Sequence, residues 1–292
     1  MQHPSPTHPA AVAWMAGALV LFTGMAIAAR ELSADLGTFQ LLAVRGIVGL
    51  LIVSALLQKY GWSQLSTANI RLHLMRNLAQ FGGQFGWFYA IAAIPLATVF
   101  AMEFTVPVWT AIFAALLLGE RITATRVIAI ACGLARVLVI LRPGVAIVHP
   151  AALVMLAGAV SFGLAHTMTK KLTGRDSMLC ILFWMSALQL PLGLIPALWQ
   201  WAPMTAAHAP WLLVIGCAGL AAHYCMVRAL AMADATVVVT LDFLRLPLIT
   251  LIGYWIYQEP ADWYLAAGAA LILAANLVNV FGRQPKPANT QA

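Results

Sequence analysis

The chain has 292 residues, of which 63% are hydrophobic and 9% charged, and its mean hydropathy is +0.90. Soluble domains carry about 25% charged residues, so this composition excludes a soluble protein and implies one that lives in the lipid bilayer. The net charge of +7 reads as Lys and Arg in short loops that set membrane topology, not as a nucleic-acid surface.

Crossing about 30 Å of hydrocarbon takes about 20 apolar residues as a helix. The apolar runs are too long, and too rich in Ala, Leu and Gly, for the alternating ten-residue strands of a β-barrel. Ten spanning helices are expected, at 11–29, 36–57, 72–94, 96–118, 123–141, 150–170, 178–199, 210–232, 235–257 and 261–281. Turn and cap chemistry marks the joints at Ile94-Pro95, Gly119-Glu120, Arg142-Pro143-Gly144, Gly174 and Glu259-Pro260. The start, MQHPSPTHPA, lacks the basic region of a cleavable signal, so the first run reads as a retained helix. Lys59, Arg71, Arg121, Lys170, Lys171, Arg175, Arg283 and Lys286 fall in loops on one side, against Arg30 and Arg142 on the other. That bias puts both termini in the cytoplasm. Cys132, Cys180, Cys217 and Cys225 all sit in apolar segments without metal-ligand spacing, so they read as small hydrophobes and no metal is expected.

The chain resembles itself. A shift of 139 superposes Glu103 on Asp242, Val99 on Val238, Phe104 on Phe243, Glu120 on Glu259 and Gln84 on His223. Nearer the start a shift of 141 superposes Asp35 on Asp176. Two halves of five helices must insert with opposite orientation, because five is odd. The expected architecture is an all-α membrane protein of two inverted-topology repeats around a central cavity, with a site near the midplane between them. The expected divisions are 1–10 (N-terminal tail), 11–145 (first repeat), 146–281 (second repeat) and 282–292 (C-terminal tail).

FAALLLGERIT at the end of the fourth helix, a small-residue helix ending ILRPG, and GYWIYQE at the end of the ninth resemble the drug/metabolite transporter superfamily, and within it the ten-helix EamA-type exporters. The second copy departs from the pattern, with Gln258 where the first has Gly119, so a different turn is expected there. The resemblance implies a bacterial inner-membrane protein and a cavity lined by helices 1, 3, 4, 6, 8 and 9. It also implies alternating access and export of amino acids or similar metabolites, with the YddG-type aromatic amino acid exporters most similar. No cofactor is called for; the implied partners are a small-molecule substrate and the bilayer.

Four charges are deep: Arg45, Glu103, Asp242 and Arg245. Each would cost about 2.5–3.5 kcal/mol at the centre of a lipid-facing helix, so they must pair, meet water or face the interior. Asp242 and Arg245 are i,i+3 neighbours and can pair locally. Glu103 lacks such a neighbour and is expected to meet Arg45. The spans place Glu103 toward the outer half and Asp242 toward the inner half. Pro107 and Pro247 lie four residues after Glu103 and Phe243, and should kink both helices there.

On the third helix Asn77, Phe81, Gln84 and Phe88 share one face, an aromatic and polar stripe suited to a ring-bearing solute. Gly82 and Gly86 form a GxxxG pair. His223, beside Tyr224, sits at the depth of Gln84 and titrates near neutral pH when unperturbed, so it is a candidate proton carrier. Phe162 is a further cavity candidate, and His166 a gate residue at the cytoplasmic end of its helix. The function expected is secondary export of amino acids, aromatic and other apolar ones favoured. Glu103 or Asp242 would meet the ammonium, and Arg245, Gln84 or His223 the carboxylate. Multidrug or nucleotide-sugar transport is the alternative, with a passive channel or an intramembrane enzyme behind it. No GxSxG, HExxH or GxGD pattern supports an enzyme.

Overall fold

The computed structural model describes residues 9–119, 149–173, 175–232, 241–242 and 244–259. Every regular element among them is helical: α1 (Pro9–Leu32), α2 (Thr38–Tyr60), α3 (Ile70–Ala93), α4 (Leu96–Glu103), α5 (Val106–Leu118), α6 (Pro150–Thr173), α7 (Met178–Trp199), α8 (Ala209–Met232) and α9 (Arg245–Tyr257). The spans expected at 123–141 and 261–281 lie outside the described residues, as do Cys132, Arg142 and most of the start of the span expected at 235–257.

Among the described residues, six spans are long and apolar enough to cross a membrane, with α4 and α5 counting as one. Helix α3 is not among them, although its 24 residues reach about 36 Å at 1.5 Å per residue. His73, Arg76, Asn77, Gln80 and Gln84 lower its hydropathy, and all five are buried. Its polar side faces protein, which is where such groups are tolerated at membrane depth.

The fourth span is broken, as its proline requires. Pro107 sits in the first turn of α5, where its missing N–H costs nothing. The break falls at Phe104 and Thr105, and the Thr105 hydroxyl donates to the Met102 carbonyl at 2.7 Å. The matching span breaks just before α9, with Leu244 as cap and Pro247 in the first turn. The two helices also end alike. Gly119 closes α5 at φ 68, ψ 22, and Gln258 closes α9 at φ 52, ψ 31. The different turn expected at Gln258 is therefore not formed: the side chain tolerates the left-handed conformation that glycine adopts freely.

The main packing partners are α3 with α6, α1 with α8, α2 with α7 and α5 with α6, and α4 packs on both α6 and α9; every one of these contacts joins the first half to the second. Helices α3 and α6 cross closely. A Cβ on Gly86 would fall 2.8 Å from the Val154 carbonyl oxygen and 3.1 Å from the Gly158 Cα. A Cβ on Gly158 would fall 3.2 Å from the Gly83 carbonyl oxygen. The close pair is therefore Gly86 with Gly83; at Gly82, the expected partner, a Cβ would meet only the Ser161 hydroxyl at 3.4 Å.

Polar contacts tie the halves together at both ends of the bundle. At one end, Asp176 of the α6–α7 loop accepts from Thr67 (3.1 Å) and Asn69 (3.4 Å), and its Oδ2 lies 3.0 Å from His73 Nε2. At the other, Asp35 of the α1–α2 loop lies 3.1 Å from His208 Nε2, and the Gln40 amide makes a two-way bond with the Ala202 backbone at 2.8 and 3.1 Å.

Candidate functional site

Between the halves lies a cavity of about 570 Å³, within the range of roughly 300–1,000 Å³ that holds small-molecule ligands. Its walls come from α1, α2, α3, α4, α5, α6 and α8 and from Asp242 and Arg245 at the ninth span's break. The aromatic surface is Phe22, Trp87, Phe88, Phe104 and Phe162. The polar groups include Arg45, Gln80, Gln84, Glu103, Thr110, His166 and His223. The broken span contributes because its bend brings both Glu103, ending α4, and Pro107 and Thr110, opening α5, onto one wall.

The charges are organised around Arg245. Its Nη2 donates to Glu103 Oε1 and to Asp242 Oδ2, each at 3.2 Å. The rings of Phe22, Phe100 and Phe104 surround the guanidinium, with centroids 4.9, 5.1 and 5.5 Å away. Trp87 Nε1 donates to the second oxygen of Glu103 at 2.8 Å. The cluster is −1 in formal charge and links α4 to α9 across the halves.

This corrects two expectations. Glu103 meets Arg245 and not Arg45, because the break in the fourth span sets its carboxylate against the start of α9. The two acids are also not far apart in depth. They share one nitrogen, so those two oxygens are at most twice 3.2 Å apart. An arginine stands between them and no hydrogen bond joins them directly, which is not the geometry of an acid dyad.

Gln84, His223, Phe88, Phe162, His166, Pro107 and Arg45 line the same cavity. His223 Nδ1 donates to the Gly219 carbonyl at 2.6 Å; a carbonyl accepts only, so Nδ1 carries the hydrogen. Its ring meets Phe22 edge-on at 5.3 Å, and that of His166 stacks on Phe162 at 6.2 Å. Pro247 is half-buried behind the triad, in the first turn of α9.

Three candidates fall elsewhere. Tyr224 is exposed and meets Trp14 edge-on at 5.9 Å: the next residue on a helix points about 100° away, so it cannot share His223's direction. Asn77 is fully buried where α3 packs on α7, accepting from Arg76 at 2.8 Å and donating to the Trp184 carbonyl at 3.2 Å. Phe81 stacks on Phe39 and borders a niche of about 20 Å³ beside the cavity.

Sequence reasoning missed three participants. Trp87 lies on the side of α3 that faces Glu103, one helical turn beyond Gln84, and that spacing was a usable signal. Arg30 and Glu259 were read as loop and turn residues. They pair at 2.8 Å, and Glu259 also accepts from the Leu96 backbone N–H at 2.9 Å, capping α4. The expectation that the cysteines lack ligand geometry rested on spacing along the chain. In space the donor atoms of Cys180, His73 and Asp176 lie within 4.8 Å of one another. Asp176 Oδ2 is already engaged there by Thr67, Asn69 and His73, and Cys180 Sγ lies 3.7 Å from the Leu65 carbonyl oxygen.

Comparison with known proteins adds the family. The EamA-like transporter family matches twice, at residues 9–142 and 149–281. The S-adenosylmethionine uptake transporter of Rickettsia prowazekii (strain Madrid E) is 24% identical over 94% of this chain and 93% of its own. The riboflavin transporter of Rhizobium johnstonii is 33% identical over 80% of this chain and 78% of its own. The pseudopaline exporter CntI of Pseudomonas aeruginosa is 28% identical over 87% and 90%. One crystal structure matches with a TM-score of 0.63 at 20% identity, covering 94% of this chain and 98% of that one, a likeness of fold alone.

Proposed function

The chain belongs to the EamA-like transporter family and is a multi-pass membrane transporter of small molecules; from that premise we propose that it is a secondary carrier of ring-bearing small metabolites, aromatic amino acids among them, working by alternating access in the bacterial inner membrane. The observation that carries this reading is the cavity of about 570 Å³ between the halves, walled by five aromatic rings and interrupted by a few polar groups. Rings stack on rings, and the net-negative cluster at Arg245 suits a solute ammonium group.

The inverted repeat of ten helices, with both termini in the cytoplasm, belongs to the same proposal. Two EamA matches in one chain support it. So does the packing. Exchanging the halves turns the α1–α8 contact into α6–α3, and returns α2–α7 and the fourth-with-ninth contact to themselves. The loop acids Asp35 and Asp176, matched in sequence, each meet a histidine of the other half at opposite ends of the bundle.

Relatives include an uptake transporter and an exporter, so direction is a separate measurement. Export is proposed here from the resemblance of the sequence to EamA-type exporters. The test is counterflow in proteoliposomes with labelled tryptophan, S-adenosylmethionine and riboflavin, and a sugar as control. Saturable exchange of at least one of the three is expected. Its absence for all, in vesicles containing folded protein, would refute the reading.

A further inference from the structure

Two deep arginines line the cavity, and they are in different states. Arg245 is saturated by two carboxylates and a cage of rings. Arg45, on α2, has no hydrogen bond, ion pair or ring contact among the described residues, and the nearest acids are committed to Arg245. It is half-buried and borders both the cavity and the adjoining niche. Its guanidinium lies over Gly219 of α8, where a Cβ would come within 3.1 Å of Nε and 3.2 Å of Nη2. A side chain there would press on the guanidinium, which would have to give by a few tenths of an ångström.

Gln84 of α3 borders the same cavity and the same niche. It is 5% exposed, and its amide nitrogen is buried without a partner. The third polar neighbour, His223, spends its Nδ1 hydrogen on the Gly219 carbonyl, so its other nitrogen, when the ring is neutral, accepts and does not donate. A partnerless cation and a partnerless amide therefore flank one corner of a cavity at membrane depth, where an unpaired charge persists only if something meets it.

We propose that Arg45 and Gln84 form the subsite for a carboxylate of the transported solute. The substrate class is then ring-bearing acids and zwitterions in preference to neutral ring compounds. This rests on the carrier reading above and deepens it: the guanidinium fork matches the two oxygens of a carboxylate, and the solute's ring lies among Phe88, Phe104 and Phe162.

The test is equilibrium binding to the purified full chain in detergent, using two pairs that differ only in charge: tryptophan against tryptophanamide, and indole-3-acetate against indole-3-acetamide. Each acid is expected to bind about tenfold or more tightly than its amide, the size of a charge-assisted hydrogen bond. Arg45→Gln should bring that ratio close to one, and Arg45→Lys should retain part of it. An acid–amide preference that survives in Arg45→Gln overturns the proposal. So does its absence in the wild type, including failure of both acids to bind. Counterflow on the same preparations reads the carrier function separately. Arg45-dependent acid binding without flux leaves this subsite standing and removes the carrier, whereas flux and binding indifferent to Arg45 do the reverse.

Discussion

Replacing Arg245 by Gln should destabilise the protein far more than replacing either acid it binds. The side chain is 6% exposed, with Glu103 and Asp242 at 18% and 24%. At 3.2 Å and an effective dielectric near 20, each contact carries about 5 kcal/mol of Coulomb attraction before desolvation is subtracted. Removing one member of such a cluster typically costs about 3–5 kcal/mol, because it strands the opposite charge. Arg245→Gln strands two carboxylates against each other, yet the cavity lets water reach both. The lower end, about 3 kcal/mol, is the expected loss. Glu103→Gln behaves differently: it converts a net −1 cluster into a neutral Asp242–Arg245 pair, and the amide oxygen still accepts from Trp87. Its expected cost is under about 1 kcal/mol, that of a modest hydrogen-bond change. The assay is thermal unfolding of the purified protein in detergent. At roughly 2–4 °C per kcal/mol, Arg245→Gln should unfold about 6–12 °C lower than the wild type and Glu103→Gln within a few degrees. Adding Glu103→Gln and Asp242→Asn to Arg245→Gln should recover most of the loss, since no charge is then stranded. Equal losses for Arg245→Gln and Glu103→Gln, or no recovery in the triple variant, would falsify the account of a shared cation.

Gln258→Gly should raise stability by about 0.5–1 kcal/mol, because a left-handed residue with a side chain is relieved of its strain; the measure is the midpoint of thermal unfolding. Gly86→Ala should cost at least about 1–3 kcal/mol by overpacking backbone against backbone at the α3–α6 crossing, and Gly82→Ala should be near neutral; the yield of monodisperse protein separates them. Asp176→Ala removes the acceptor of three contacts and should cost about 1–3 kcal/mol. Asp35→Ala, whose side chain is 65% exposed, should stay within about 0.5 kcal/mol, compared in the same melt.

What the sequence reveals here is what one helix can encode. The apolar lengths locate the spans, and Pro107 and Pro247 locate the two breaks to within three residues. The polar spacing on α3 marks its buried side. Pairings between helices are another matter. Whether Glu103 reaches Arg45 or Arg245 depends on the height and rotation of α4 against α9, which follow from a bend whose angle no residue states. Phe81 and Asn77 share a face with Gln84, yet α2 and α7 cover that face away from the cavity. Tyr224 was excludable from the start, since its helical direction differs from that of His223.

The two loop acids show how a repeated sequence yields unequal energetics. Asp35 and Asp176 are matched by sequence, and each meets a histidine of the opposite half at nearly the same distance, 3.1 and 3.0 Å. Their surroundings differ. The His73–Asp176 pair is 0% and 4% exposed, while His208 and Asp35 are 13% and 65% exposed. An exposed pair is screened and contributes little, whereas breaking a buried one strands polar atoms. The end of the bundle at Asp176 is therefore held more firmly than the end at Asp35. In a carrier of two inverted halves, a conformation that reversed access would exchange these environments, burying Asp35 and exposing Asp176. On the proposed alternating-access reading, the difference between the two contacts would contribute to the energy separating the access states, from residues outside the cavity lining.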